Sequence, residues 1–405
     1  MSAGPAALVL GGFPRITVPV ARSLAARGIP VYAGGFFSAP RVPRSRSLRG
    51  YIELPGPGQS SLEAFPAALL AVIEQRGIDT VIPVGDGELT ALSGCEDRLA
   101  SRVHRMYPSA ALAARVLDKG ATLTVARSLG VPIPESICVG SAEDFRRQGG
   151  AMRFPVFVKP RDRGRPNPAR MRYFDGPEPL FAFLDAHRGA GCEWLVQRFV
   201  PGEGVGVEVL MDADRPLAIF QHRRLKELPP GGGVAVRSVS EAPDPVLVER
   251  AVALLRALSW EGLAMVEFRR DPATGHSVLM EINGRCWGSM ALPIACGVDF
   301  PYYAWQRLHG QEPDPPATYP IGRRMRWLGG ELQRLPAVLR ESLDGERGGG
   351  GLARDLGVAV LDSVNGTRDA LWAWGDPWPA LQDTGQAVGL LVHQLCGRLV
   401  RSPRS

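Results

Sequence analysis

Lysine is scarce in this sequence, whereas arginine is abundant. Of 47 basic residues in 405, only Lys119, Lys159 and Lys226 are lysines. A lysine is a compact point charge and an arginine a planar fork, so a lysine that persists in such a chain is a candidate for contacting phosphate oxygens. The formal net charge of +6 comes from arginines that are mostly dispersed along the chain. We therefore expect no nucleic-acid partner.

Long apolar runs and paired cysteines are also missing. No stretch of about 18 apolar residues occurs, so no spanning helix and no membrane partner are expected. The first residues lack the basic start of a signal peptide. Six cysteines are scattered without a C-x-x-C pair, which favours reduced thiols and a cytoplasmic location. The length predicts two to three domains.

The first part of the chain reads as a parallel α/β domain. Strands are predicted at 6–10, 29–33 and 80–84, with helices at 18–27 and 62–76. This pattern predicts a Rossmann-like domain over residues 1–115. The turn at Gly11 and Gly12 lacks the G-x-G-x-x-G spacing. A dinucleotide-dependent oxidoreductase is therefore not expected.

From Leu117 onwards the pattern changes to shorter alternating elements. Helices are predicted from Lys119 to Leu129 and over 142–148, and strands over 156–160, 194–200 and 205–211. The loop 161–172 has no apolar periodicity. A glycine run at 348–351 indicates a flexible join within a mostly helical C-terminal extension over 321–405.

The segment from Gly262 to Ser289 predicts a hairpin that carries carboxylates. Two apolar-rich runs flank the turn sequence Asp-Pro-Ala-Thr-Gly at 271–275. Pairing that is symmetric about Thr274 places Glu267 opposite Glu281, Phe268 opposite Met280 and Arg270 opposite Val278. Asn283 then shares the face of Glu281, because strand side chains alternate.

Two facing carboxylates and an amide oxygen indicate a metal site. Directly opposed like charges destabilise a sheet, and burying them without a cation costs several kcal/mol. Mg²⁺ prefers such oxygen ligands and completes its shell with water and substrate phosphates. A solvated sheet face is the alternative, but the methionine and phenylalanine neighbours favour a partly buried hairpin and hence the metal.

Taken in order, these motifs resemble those of the ATP-grasp superfamily, in particular its carboxylate–amine ligase branch. The residues that carry the resemblance are Leu117-Asp118-Lys119, Val158-Lys159-Pro160, Leu195 to Gly202, Met265-Val266-Glu267 and Glu281 to Arg285. Relatives include D-alanine–D-alanine ligase, biotin carboxylase and carbamoyl phosphate synthetase. The resemblance runs from residue 1 to about residue 310. It implies an α+β ATP-grasp domain over 116–320, with a lid at about 120–200 and a metal-binding part at about 201–320.

The resemblance also implies roles for individual residues. Lys119 and Lys159 would contact the ATP phosphates. The adenine edge would be held by Gln197, Arg198, Phe199 and Val200, and the ribose by Glu203. Mg²⁺ (or Mn²⁺) would be bound by Glu267, Glu281 and Asn283, and Arg285 would steady an acyl phosphate. The loop 161–172 would form the flap over the phosphates.

This chain departs from the family pattern at two points. Gly284 stands where relatives carry proline, and Gly204 where they often carry a second acid, which leaves the ribose assignment open. The third lysine, Lys226, lies in a basic stretch followed by a glycine turn. It is a candidate for clamping a carboxylate or the transferred phosphate, with a plain surface loop as the alternative.

The resemblance implies an ADP-forming ligase that activates a carboxylate as an acyl phosphate and joins it to an amine. The expected partners are a small-molecule carboxylate and an amine, of an amino acid or a similar small metabolite, and a second copy of the chain in a homodimer. Two alternatives stay open: a bicarbonate-activating, carboxyphosphate-forming enzyme, and an ATP sensor without turnover. Arg15, Asp86 and Glu88 lie in strand-end loops that could contact a zwitterion, although such loops are polar in any case.

Overall fold

A computed structural model of the chain describes residues 5–36, 44–56, 63–149, 151–164, 169, 171–189, 191–230, 232–343, 357 and 366–399. The described strands form three sheets of five, four and seven strands. No helix in these ranges is both long enough and apolar enough to cross a membrane.

The first sheet is parallel and has the order β3-β2-β1-β4-β5. Every residue of its central strand β1 is buried, as expected where helices cover both faces. The strands are β1 (Ala6–Leu10), β2 (Val31–Gly35), β3 (Gly50–Glu53), β4 (Ile78–Pro83) and β5 (His104–Arg105). The helices are α1 (Pro14–Ala25), α2 (Ala64–Arg76), α3 (Asp86–Ser93), α4 (Glu96–Leu99) and α5 (Ala110–Leu117). This confirms the Rossmann-like N-terminal fold.

The second sheet is antiparallel and has the order β6-β9-β7-β8. Asp118 caps the helix that begins at Lys119 by accepting a hydrogen bond from Ala121 N at 3.1 Å. The elements are α6 (Lys119–Ser128), β6 (Ser136–Val139), α7 (Ala142–Gln148), β7 (Val156–Pro160), β8 (Arg172–Phe174), α8 (Pro177–Ala186) and β9 (Trp194–Arg198). Lys159 on β7 pairs with Leu195 on β9.

The third sheet has the order β14-β13-β10-β11-β12-β15-β16. Its strands are β10 (Glu203–Asp212), β11 (Arg215–Leu228), β12 (Val234–Glu241), β13 (Gly262–Arg270), β14 (Ser277–Asn283), β15 (Arg324–Arg326) and β16 (Arg368–Asp369). The accompanying helices are α9 (Pro245–Ala257), α10 (Ala291–Ala295), α11 (Phe300–Leu308), α12 (Leu328–Leu343) and α13 (Trp378–Leu399). Together with the second sheet they confirm the predicted α+β architecture.

The C-terminal part is mostly helical, as expected, but it also contributes β15 and β16 to the third sheet. The division at residues 115 and 320 therefore stays a prediction. Asp376 fastens this part to α1 by accepting hydrogen bonds from Arg22 at 3.0 and 3.2 Å and from the Ser45 hydroxyl at 2.6 Å. The glycine run at 348–351 lies outside the described residues.

The predicted hairpin forms, and Glu267 pairs with Glu281 as expected. Between that pair and the turn, the expected register is wrong by one residue. Phe268 pairs with Leu279 rather than Met280, because the ladder is irregular between Glu267 and Phe268. A bulge of this kind leaves one residue unpaired, and here the extra residue is Met280.

Candidate active site

A cavity of about 480 Å³ lies where the three sheets meet. The first sheet contributes the loops after β1 and β4, the second contributes β7 and β9, and the third contributes β10, β11, β13 and β14. Ten of the twelve residues predicted from the sequence line it: Lys119, Lys159, Gln197, Arg198, Phe199, Val200, Glu267, Glu281, Asn283 and Arg285.

The carboxylate pair and Asn283 form one polar face of the cavity. The Asn283 amide nitrogen donates to Glu267 Oε1 at 2.9 Å and lies 3.5 Å from Glu281 Oε1. Asn283 is only 3% exposed. Strand pairing therefore brings three oxygen-bearing side chains together, as the alternation of the hairpin predicted.

Each carboxylate of this face has a cationic partner. Arg224 contacts Glu267 at 2.5 Å, Lys119 Nζ donates to Glu281, and Arg163 lies 3.5 Å from Glu281 Oε1. Burial opposes ionisation of Glu281, but Arg163 and Lys119 outweigh it and hold the pKa of that carboxyl well below its usual range. Glu281 therefore stays charged inside the protein.

Lys159 has no such partner among the described residues. Its side chain is 4% exposed, and no carboxylate lies within 4.0 Å of its ammonium group in that part of the chain. Burial, together with the neighbouring charge of Lys119, lowers the pKa of Lys159 to about 7. A buried cation without an anion is unfavourable, so this position is suited to an anionic ligand.

Gln197 to Val200 form the apolar end of the cavity, beside Phe157. The Arg198 and Phe199 amides donate to Glu135 O and Pro155 O, each at 2.9 Å, which fixes this backbone. The Val200 amide has no backbone partner in the described ranges. Gln197 is 1% exposed and its Oε1 is unbonded there. These polar groups, set in an apolar wall, are suited to a flat heterocycle.

Arg285, which follows β14, also lines the cavity and is held by Asp86 at the start of α3. Its Nε donates to Asp86 Oδ1 at 2.8 Å, and Arg163 lies 3.4 Å from Asp86 Oδ2. Burial works against the charge of Asp86, but Arg285 and Arg163 outweigh it and lower the pKa of the carboxyl. Glu88, close by on α3, is 4% exposed, and burial raises its pKa.

Two of the predicted residues are not brought to the cavity. Glu203 lies at the start of β10 with its carboxylate paired to Arg223 at 2.7 Å, and Lys226 lies on β11 opposite Arg237. The pairing of β11 with β12 is irregular on both sides of Lys226. This irregularity sends Arg224 and Glu227 into the cavity in place of Lys226.

Glu227 is an acid of the cavity that the sequence did not single out. It is 8% exposed and accepts hydrogen bonds from Arg269 at 3.0 and 3.3 Å. A Cβ atom on Gly204 would lie 2.9 Å from Glu227 Oε1 and 2.7 Å from Arg224 Cδ. Gly204, where the family pattern predicts a second acid, therefore makes room for Glu227, and this departure was the available signal.

Comparison with known proteins agrees with this geometry. A family model described as "ATP-grasp in the biosynthetic pathway with Ter operon" matches residues 191–330, which hold most of the third sheet. Residues 191–330 therefore match an ATP-grasp family, and the chain has the ATP-grasp fold. No curated protein matches the sequence.

Several solved structures share the ATP-grasp fold of this chain at low sequence identity. Biotin carboxylase from Campylobacter jejuni, solved as a β-γ-ATP complex, is 16% identical with a TM-score of 0.62, covering 78% of this chain and 74% of its own. L-amino acid ligase from Bacillus licheniformis is 13% identical with a TM-score of 0.58, covering 76% and 75%. N5-carboxyaminoimidazole synthetase from Staphylococcus aureus is 14% identical with a TM-score of 0.60, covering 86% and 88%.

The residues of this cavity fit a nucleotide and a hard cation. Among the residues that the structure describes, buried Lys159 has no carboxylate partner and buried Gln197 Oε1 has no hydrogen-bond donor. The oxygens of Glu267, Glu281 and Asn283 are the donor set that Mg²⁺ prefers. The flap expected over 161–172 is described only in part, since residues 165–168 and 170 lie outside the described ranges.

Proposed function

We propose that this protein is an ATP-dependent ligase that phosphorylates a carboxylate and joins the acyl group to an amine. The observation that carries the proposal is one cavity that holds two buried lysines, a facing carboxylate pair with Asn283, and Arg285. Phosphoryl transfer to a carboxylate needs positive groups that bind phosphate, oxygen donors that hold a cation, and an arginine that holds the carboxylate.

The chemistry explains why ATP is required. A free carboxylate does not acylate an amine, because its oxygen is a poor leaving group. In the proposed reaction a carboxylate oxygen attacks the γ-phosphorus and the bond to the β-phosphate oxygen of ATP breaks, giving ADP and an acyl phosphate. The amine nitrogen then attacks the acyl carbon, phosphate leaves with the C–O electron pair, and the amine loses a proton.

The protein's part in these steps is to hold and orient charge. Lys119, Lys159 and Arg163 would bind phosphate oxygens, and Arg285, oriented by Asp86, would hold the carboxylate oxygens during the transfer. Mg²⁺ held by Glu267, Glu281 and Asn283 would supply charge neutralisation on the transferring phosphoryl group. No protein nucleophile is needed, and burial raises the pKa of the Cys286 thiol near this end to about 12.

Adenosine would occupy the apolar end of the cavity. The Val200 amide and the Gln197 side chain would meet the base, with Phe157 and Phe268 in the surrounding wall. We assign the ribose hydroxyls to Glu227 rather than Glu203, because Glu227 lines the cavity and Glu203 is paired outside it.

Bicarbonate is the second candidate for the phosphorylated acid. It is supported by the likeness of the fold to biotin carboxylase, at a TM-score of 0.62. In that case the first product would be carboxyphosphate, and an amine would take up the carboxyl group. The binding residues proposed above would be the same, so substrates rather than geometry distinguish the two candidates.

The test is ADP release by purified protein with Mg-ATP against an array of carboxylic acids, amino acids, small amines and bicarbonate. Release that needs both an acid and an amine, with a new amide in the mass spectrum, would support the ligase. Release that depends on bicarbonate would favour the second candidate. Tight ATP binding without release under any condition would refute both and favour an ATP sensor.

A further inference from the structure

Arg15 is a cationic side chain of the cavity that the proposed reaction does not use. It lies in the first turn of α1, and its guanidinium carbon stands 4.7 Å from the ring centroid of Trp327. Its Nη1 donates to Ala235 O at 3.1 Å. Contacts from the third sheet and from the C-terminal part therefore hold the side chain in place against the cavity wall.

No carboxylate among the described residues lies within 4.0 Å of this guanidinium, although several acids are close by. Glu267 is paired with Arg224, and Asp383 accepts a hydrogen bond from Trp327 Nε1 at 2.6 Å. Burial, with the charges of Arg224 and Arg285, lowers the pKa of Arg15 to about 10. A partly buried arginine beside two others is unfavourable unless an anion joins them.

The surroundings of Arg15 are shaped to admit a ligand. A Cβ atom on Gly288 would lie 2.7 Å from the guanidinium, so this glycine provides the space that Arg15 occupies. Ile16, Met265 and Trp287 line the same end of the cavity. Arg15 is thus a cation held at a partly buried position of the cavity wall, where an anion binds more strongly than it would in bulk water.

The charge of the cavity leads to the same conclusion. Eight basic and four acidic side chains of the described residues line it, which leaves a surplus of four positive charges. ATP with one Mg²⁺ brings about two negative charges, and a reacting carboxylate brings one more. At least one positive charge is then still uncompensated. The charges that act on Arg15 are those of Arg224, Arg285, Asp383 and Glu267 rather than those of the two lysines.

We propose that Arg15 binds an anionic group that a substrate carries in addition to the carboxylate that reacts. The inference rests on the proposed ligase function and narrows its substrates to those with a second carboxylate or a phosphate. This anion belongs either to the acid that is phosphorylated or to the amine, as in the α-carboxylate of an amino acid. Both sources present the same chemistry to Arg15.

The test compares charged substrates with neutral twins in three variants. Arg15→Gln removes the charge, and Gly288→Ala displaces the guanidinium while leaving the residue in place. Arg27→Gln is the matched control, because Arg27 also lies on an aromatic ring, that of Tyr302 at 4.6 Å, but does not line the cavity. The substrates are dicarboxylates, phosphorylated acids and amino acids, each paired with its monoamide or dephosphorylated form.

We expect the wild-type protein to prefer the charged member of one pair. Arg15→Gln and Gly288→Ala should each lower kcat/KM for that member by roughly 10- to 100-fold, the usual loss of a charge-assisted hydrogen bond, mainly through KM. The kcat/KM for the neutral twin and the Kd for Mg-ATP should not change. A preference among the acids would place the second anion on the donor, and a preference among the amines would place it on the acceptor. Equal use of both twins, or equal losses for both in Arg15→Gln, would overturn the inference.

A binding readout separates this inference from the proposed function. If no substrate releases ADP, the proposed ligase function fails, and the same probes are then tested by thermal denaturation with Mg-ADP present. Inorganic phosphate or succinate that raises the melting temperature of the wild type and of Arg27→Gln, but not of Arg15→Gln, would still support an anion site. Equal shifts in all three proteins would overturn it.

Discussion

The affinity of this protein for nucleotide should depend on pH through Lys159. In the free protein burial and Lys119 lower the pKa of Lys159 to about 7, so half of the molecules carry a neutral amine near that pH. Bound phosphate oxygens restore the charged form. Nucleotide binding above pH 7 must therefore include uptake of a proton, and each further pH unit costs up to about 1.4 kcal/mol of binding free energy.

This linkage predicts a large change. From about pH 7 to about pH 9 the protonated fraction of Lys159 falls from about a half to roughly a hundredth, so the Kd for Mg-AMPPNP should rise roughly 50-fold. Titration calorimetry in two buffers with different ionisation enthalpies should give an uptake near one proton per nucleotide above about pH 8. Below about pH 6 the uptake should disappear.

Lys159→Arg is the variant that isolates this lysine, because arginine stays protonated throughout. It should bind nucleotide more weakly, since the fork displaces the charge, and should lose the proton uptake of the wild type. Burial and Arg163 also lower the pKa of Lys119, so only the difference between the two proteins reports on Lys159. An unchanged Kd between the two pH values in the wild type would refute the reasoning.

Three further predictions concern the cation face, the ribose and the C-terminal part. Glu281→Gln should abolish Mg-ATP turnover with little change in circular dichroism, whereas Asp271→Asn at the exposed tip of the same hairpin should keep turnover; activity in Glu281→Gln would contradict the metal site. Glu227→Gln should reduce the preference for ATP over 2′-deoxy-ATP in Kd, and Glu203→Gln should not; the reverse result would restore the sequence-based assignment. Asp376→Asn should lower the free energy of unfolding by about 1–3 kcal/mol in urea denaturation. Burial opposes the charge of Asp376, but its hydrogen bonds, led by that from Ser45, lower its pKa. The stabilisation is therefore present above the ordinary aspartate pKa and should be lost as the pH falls below it. A difference in unfolding free energy between wild type and Asp376→Asn that persists in acid would contradict this prediction.

The parts of the site that depend on strand alternation were predictable from the sequence. The hairpin turn at 271–275 fixed which residues face each other, so Glu267, Glu281 and Asn283 were placed together correctly. The scarcity of lysine directed attention to Lys119 and Lys159, and both line the cavity.

Irregular strand pairing explains the side-chain positions that could not be predicted from the sequence. A single extra residue in a strand moves every later side chain to the other face, and composition carries no sign of it. One such irregularity shifted the hairpin register at Met280, and another, around Lys226, brought Glu227 to the cavity instead. Contacts between sheets, such as Asp86 with Arg285, join residues 199 positions apart and leave no local pattern.

The most direct test of the central claim follows oxygen from the carboxylate. A carboxylic acid that supports ADP release is labelled with ¹⁸O in its carboxyl group, and the released phosphate is analysed by mass spectrometry after a limited number of turnovers. Activation as an acyl phosphate requires one labelled oxygen to leave with phosphorus, so the account predicts one ¹⁸O in each phosphate. Unlabelled phosphate alongside amide formation would contradict it, because ATP would then have been cleaved without forming a bond to the carboxylate.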